Sequence, residues 1–151
     1  ADRAMELLRF VGLESEAAQA FEVEKGAIRK FADAIGDPSP IYRDEKAARE
    51  AGYSAIPAPP TFPITFQFEV KDGVRGRLKI DMRKVLHGEQ EFTYRRPLVA
   101  GDRVFLRQKI ADIYSQSGKS GGMDFLVIDT IARDEKGVEV FRMRGVTVVR
   151  H

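Results

Sequence analysis

The sequence contains no cysteine, no tryptophan, no asparagine and only two histidines among its 151 residues. Without cysteine there can be no disulfide, no thiolate nucleophile and no thiolate-based metal site. With so few histidines, and with Asp124, Asp129, Asp134 and Glu135 outside any metal-loop spacing, no metal is expected. No apolar run approaches the roughly 18 residues that a bilayer span requires. The N-terminal MELLRFVGL is too short and too charged for a signal peptide, so a soluble, cytoplasmic protein without membrane association is expected. Charge of one sign is also lacking. The 25 basic and 23 acidic residues are interspersed and leave a net charge of +2, which gives no footprint for nucleic acid. High charge without asparagine suits a heat-adapted source.

What is present fits one domain spanning 1–151, with residues 1–20 as an N-terminal helix and connector. Met5, Leu8 and Val11 are spaced for one helical face that Gly12 ends. Glu14 to Ala20 reads as a polar connector, and Phe21 and Val23 as a short half-buried strand. Ile28, Phe31, Ala32 and Ile35 form the clearest amphipathic helix, stopped by Gly36. Asp44 is placed to cap a second helix, EKAAREA, which Gly52 terminates.

The segment after Pro60 supports two readings. Phe62, Ile64, Phe66, Phe68 and Val70 alternate as in a strand. Pro63, however, is tolerated in the first turn of a helix and not in a central strand, and Thr61 could then be the N-cap. From Leu78 onward the pattern is that of an antiparallel meander. Its strands cover Val85 to Arg96, Arg103 to Tyr114, Met123 to Ala132 and Val138 to Val149. The third is apolar on both faces and therefore central, and the last carries a possible bulge at Gly145. Early helices with a later antiparallel sheet make the class α+β.

Among chemical motifs, Gly118-Lys119-Ser120 is not a phosphate loop. Ile113 stands where the first glycine belongs, and a strand follows instead of a helix. His151 is the last residue and is set aside. His87 opens the long strand beside Gly88. Simple alternation puts it on a polar face with Glu89 and Glu91, away from Phe92. Asp37, in Gly36-Asp37-Pro38-Ser39-Pro40, is either a plain Asp-Pro turn starter or a carboxylate held rigidly for chemistry. If the apolar segment is a helix, Thr61 and Phe62 must supply its free N–H groups, since Pro59 and Pro60 cannot donate.

The stretch Gly36-Asp37-Pro38-Ser39-Pro40-Ile41-Tyr42 resembles the G-D-x-N-P-[LIV]-H signature of MaoC-like (R)-specific enoyl-thioester hydratases and dehydratases. Ala51-Gly52-Tyr53, Ile56 to Phe62, His87-Gly88-Glu89-Gln90-Glu91 and Arg96 to Asp102 are similar to one branch. That branch is the MaoC N-terminal dehydratase domain, related to the dehydratase region of type I fatty-acid synthases. The resemblance runs from about Phe21 to Val149. It implies a hotdog fold, a curved antiparallel sheet wrapped around a central helix, which would make the segment from Thr61 to Val70 helical. It also implies pairing as a homodimer or heterodimer, no cofactor, and an acyl-CoA or acyl-carrier-protein thioester as ligand.

By that resemblance Asp37 would act as base, Tyr42 or His87 as auxiliary donor, and Thr61 or Phe62 as oxyanion donor, with Ser39 against the substrate. Dehydration β to a thioester needs all three functions. The departure is at position 42, where tyrosine stands in place of histidine. A phenol of ordinary pKa near 10 can donate a proton but is no base at neutral pH. The implied activity is a (3R)-3-hydroxyacyl-thioester dehydratase or enoyl-thioester hydratase. The alternatives are a non-catalytic acyl-binding subunit paired with a catalytic hotdog partner and, behind both, a hotdog thioesterase.

Overall fold

The computed structural model describes residues 6–15, 18–70 and 73–151. Strand β1 (Gln19–Glu22) leads into helix α1 (Lys25–Ala34) and the short helix α2 (Glu45–Glu50). Four long strands follow: β2 (Val85–Tyr94), β3 (Arg103–Gly118), β4 (Gly121–Arg133) and β5 (Glu139–Arg150). All pairings are antiparallel, and the sheet order is β1-β3-β4-β5-β2.

Local sequence accounts for both α-helices. In α1, Ile28 and Ala32 are fully buried while the flanking charged positions are exposed, and Gly36 beyond its end takes φ +72°. Ile35, expected on the same buried face, is instead about half exposed, because the helix has already ended there. The Asp44 carboxylate accepts the Lys46 N–H at the start of α2, and Gly52 at φ +95° closes it. At the N-terminus the expected inner face is wrong. Leu8 and Val11 are exposed and Leu7 is the buried residue, while Met5 lies outside the described residues.

The helix expected between Thr61 and Val70 is present, but as a 3-10 helix over Phe62–Phe68. Pro63 stands in its first turn, and Pro59 and Pro60 supply no N–H, so the shorter i to i+3 pattern, Ile64 N–H to Thr61 carbonyl, takes over. Aromatic contacts hold it. Phe62 meets Phe31 of α1 edge-on at 5.6 Å, Phe66 meets Phe62 at 5.6 Å, and Phe66 stacks on Phe21 of β1 at 4.9 Å. These rings join Val104, Leu106, Ala132, Phe141 and Met143 from the sheet in one core.

The sheet departs from a simple meander in one respect. β3, β4 and β5 are consecutive neighbours, with β4 central as its two apolar faces require, but β2 pairs with β5 at the far edge instead of with β3. Two further 3-10 turns, Val74–Leu78 and Met82–Lys84, precede β2, which begins at Val85 as expected. The turn between β2 and β3 is fixed by Asp102, whose carboxylate accepts from Arg96 at 2.8 Å and from the Val99 N–H at 2.9 Å.

The expected bulge at Gly145 is absent: Gly145 pairs regularly with Gln90 and with Ile128. The irregularity lies across the ladder, between His87 and Glu89. Gly88 is the extra residue, and it shifts the alternation by one. A Cβ there would stand 2.9 Å from Val148 Cγ2 and 3.2 Å from the Val146 carbonyl oxygen. Gly88→Val should therefore overpack this point and destabilise the protein by about 1–3 kcal/mol, read as a lower urea midpoint with an unchanged slope.

Candidate functional site

Residues 37–42 form a tight corner after α1. The Asp37 N–H donates to the Ala32 carbonyl at 2.9 Å, and its Oδ1 accepts the Ser39 N–H at 2.9 Å. This is the Asx turn expected of Asp before Pro, so the local role of Asp37 is real whatever else it does. Arg43, which sequence reasoning passed over, ties the corner down by donating to the Ser39 carbonyl at 2.9 Å and to Asp33 at 2.6 Å. Pro40–Tyr42 is a single 3-10 turn, and it drives the Tyr42 side chain into the core beside Ile56 and Phe62. Burial raises the Tyr42 pKa above 10.0, and the nearby Asp37 charge and Tyr53 raise it further. The phenol is thus a neutral donor at physiological pH.

The proline-rich segment crosses this corner and is fastened to the β2–β3 turn. The Ala58 N–H donates to the Leu98 carbonyl and the Ala100 N–H to the Ile56 carbonyl, each at 2.8 Å. The Tyr94 hydroxyl donates to the Pro60 carbonyl at 2.7 Å. Thr61 occupies the N-cap position, but its side chain is exposed and makes no capping bond. The Phe62 N–H is already donated to the Pro59 carbonyl at 2.9 Å.

Tyr42 and Phe62 therefore share one hydrophobic cluster, with Asp37 close enough to act on the phenol. His87 is elsewhere. The Gly88 bulge turns it onto the face that carries Gln90 and Phe92, opposite to what alternation implies. There it lines a cavity of about 1070 Å³ on the concave side of the sheet, with Gln67, Gln90, Gln108 and Thr147. His87 Nε2 lies 3.1 Å from Gln90 Oε1, which also accepts from Gln67 Nε2 at 3.4 Å. A neutral imidazole in this contact carries its proton on Nε2 and leaves Nδ1 as an acceptor. Nothing in the alternation pattern marks the bulge; the His-Gly dipeptide was its one signal.

The family model described as the FAS1-like, dehydratase domain region matches residues 9–143. The chain belongs to this family. A UPF0336 protein of Thermobifida fusca is 40% identical over 143 residues, covering 93% of this chain and 91% of its own. Among solved structures, the HadBC (3R-hydroxyacyl-ACP dehydratase) complex of Mycobacterium tuberculosis superposes with a TM-score of 0.77 at 23% identity, covering 92% of this chain and 96% of that one. A MaoC-like dehydratase superposes with a TM-score of 0.80 at 25% identity, covering 95% of this chain but 43% of that longer one. The MaoC-like resemblance and the hotdog fold read from the motifs are correct.

The raised Tyr42 pKa has a defined consequence for stability. A folded-state value above the unfolded one leaves the contribution intact at neutral pH, and it is lost as pH rises past about 10. Denaturant unfolding of wild type should weaken on that alkaline limb, and Tyr42→Phe should reduce the loss, leaving the part due to Tyr94, whose pKa burial also raises. An unchanged limb in the variant would show that the phenol is not the group responsible.

Proposed function

We propose that the protein is the acyl-thioester-binding half of a (3R)-3-hydroxyacyl-thioester dehydratase, paired with a second hotdog chain that carries the catalytic Asp–His pair. One observation carries this reading: a buried, neutral tyrosine at position 42, where the resemblance calls for an imidazole. Dehydration requires a group that removes the Cα proton and one that protonates the departing hydroxyl. Tyr42 can donate and cannot accept at neutral pH. Asp37 is committed through Oδ1 to the Ser39 N–H, which leaves it suited to shaping the corner and holding the thioester end of the ligand.

Two features of related proteins support pairing. HadBC is described as a complex, and the chain matches less than half of the longer MaoC-like dehydratase. In this reading Ser39, Thr61 and Phe62 border the thioester group, with the Thr61 N–H at the helix start directed to its carbonyl oxygen.

The second reading is a self-sufficient hydro-lyase with Asp37 as base and His87 as donor. His87 on a cavity wall with an available ring nitrogen favours it. Hydration of crotonyl-CoA separates the two. The pairing reading expects no turnover by the protein alone, and turnover when a MaoC-like chain with an intact Asp–His signature is added. Activity of the isolated protein that Asp37→Asn abolishes would establish the second reading instead. Release of free thiol from acyl-CoA would mark a thioesterase and overturn both.

A further inference from the structure

The 3-10 helix leaves one carbonyl at its entry without a backbone donor. In the i to i+3 pattern the Pro59 carbonyl takes the Phe62 N–H, and the Thr61 carbonyl takes the Ile64 N–H. The matching donor for the Pro60 carbonyl would be residue 63, which is proline and has no N–H. A side chain of the sheet stands in for it: the Tyr94 hydroxyl donates to this oxygen at 2.7 Å. Among the described residues this is the one hydrogen bond made by the Pro60–Thr61 peptide unit, since the Thr61 N–H has no acceptor there.

Tyr94 is itself firmly held. It is the last residue of β2, it pairs with Phe141 of β5, and its ring lies 5.6 Å from the fully buried Phe141 ring. The Arg95 N–H that follows donates to the Val140 carbonyl at 2.8 Å. Burial raises the Tyr94 pKa, so the hydroxyl keeps its proton and remains a donor at neutral pH. The Pro60–Thr61 peptide is trans, and in a trans peptide the carbonyl and the N–H point to opposite sides. With the Pro60 oxygen held toward Tyr94, the Thr61 N–H is turned the other way, at an exposed position. The neighbouring Phe62 N–H cannot replace it, being engaged by the Pro59 carbonyl. Proline fixes φ but not ψ, so without the hydroxyl this peptide plane is free to rotate and the N–H loses its aim.

We propose that Tyr94 is a positioning residue for the thioester carbonyl: its hydroxyl fixes the Pro60–Thr61 peptide and so aims the Thr61 N–H at the carbonyl oxygen of a bound acyl thioester. The proposal rests on the acyl-thioester reading above and adds the residue that preorganises its donor. A donor held in place before the ligand arrives needs no reorganisation when charge builds on the oxygen.

Hexadienoyl-CoA tests this, because a conjugated thioester absorbs at longer wavelength when a donor polarises its carbonyl. Wild type should shift the absorbance of the bound ligand to the red, and the Thr61 amide proton should move downfield during the titration. Tyr94→Phe keeps the ring and removes the hydroxyl. It should lose most of both signals, while the dissociation constant rises by no more than about tenfold, the weight of one hydrogen bond. A merely structural role would alter stability or affinity and leave the spectrum of the bound ligand unchanged. Thr61→Ala keeps the N–H and should keep the red shift. Adding Pro63→Ala to Tyr94→Phe returns a backbone donor to the Pro60 carbonyl and should restore it. Binding by wild type without a red shift overturns the proposal and leaves the acyl-thioester reading standing. The same holds for a shift that survives Tyr94→Phe, that Thr61→Ala abolishes, or that Pro63→Ala fails to restore. If wild type does not bind hexadienoyl-CoA at all, the acyl-thioester reading falls and this proposal falls with it.

Discussion

The structure depends on one file of aromatic rings. Phe31, Phe62, Phe66 and Phe21 run from α1 through the 3-10 helix to β1, each in contact with the next. A seven-residue 3-10 helix is longer than such helices usually run and has poor hydrogen-bond geometry of its own. Its place is therefore set by ring packing and burial against the sheet, not by its backbone ladder. Because one end of this helix packs with Tyr42 and Ile56 and the other borders the cavity, the rings also set the distance between them.

What could be read in the sequence was whatever is decided locally. The apolar spacing of α1, the Asp44 cap and the glycines at positions 36 and 52 are short-range effects, and each has its expected form. The family motifs also carried the hotdog fold and the helical state of residues 62–68, which periodicity alone left open. Three things were hidden because distant partners decide them. The edge position of β2 is a matter of sheet topology. The side of the strand that His87 occupies depends on one extra residue at Gly88, since a period-2 pattern inverts wherever a bulge intervenes. The engagement of the Phe62 N–H by the Pro59 carbonyl follows from a turn whose geometry the three prolines impose jointly.

Buried polarity in the sheet is only half satisfied. Asp124 on β4 is fully buried, yet its Oδ1 accepts from the Ser115 hydroxyl at 2.6 Å and lies 3.1 Å from His151 Nε2. That carboxylate is held by neighbours on the adjoining strand and at the end of β5. Gln90 likewise uses its carbonyl oxygen twice and its amide nitrogen not at all. Each group thus keeps one unmatched atom: Asp124 Oδ2 and Gln90 Nε2 are both buried without a hydrogen-bond partner.

The strand order has a consequence for how the chain reaches this state. β1 and β2 lie at opposite edges of the sheet, and each pairs only with a strand made later: β1 with β3, and β2 with β5. Both helices and the aromatic file likewise need a surface that begins at Arg103. Emerging from the ribosome, roughly the first hundred residues therefore have no sheet to lie on, and their long-range contacts close only after the β3–β4–β5 meander forms. The proline-stiffened segment between Ile56 and Pro63 narrows the conformations available during that wait. The half of the chain that holds the candidate chemistry is thus the last to be organised.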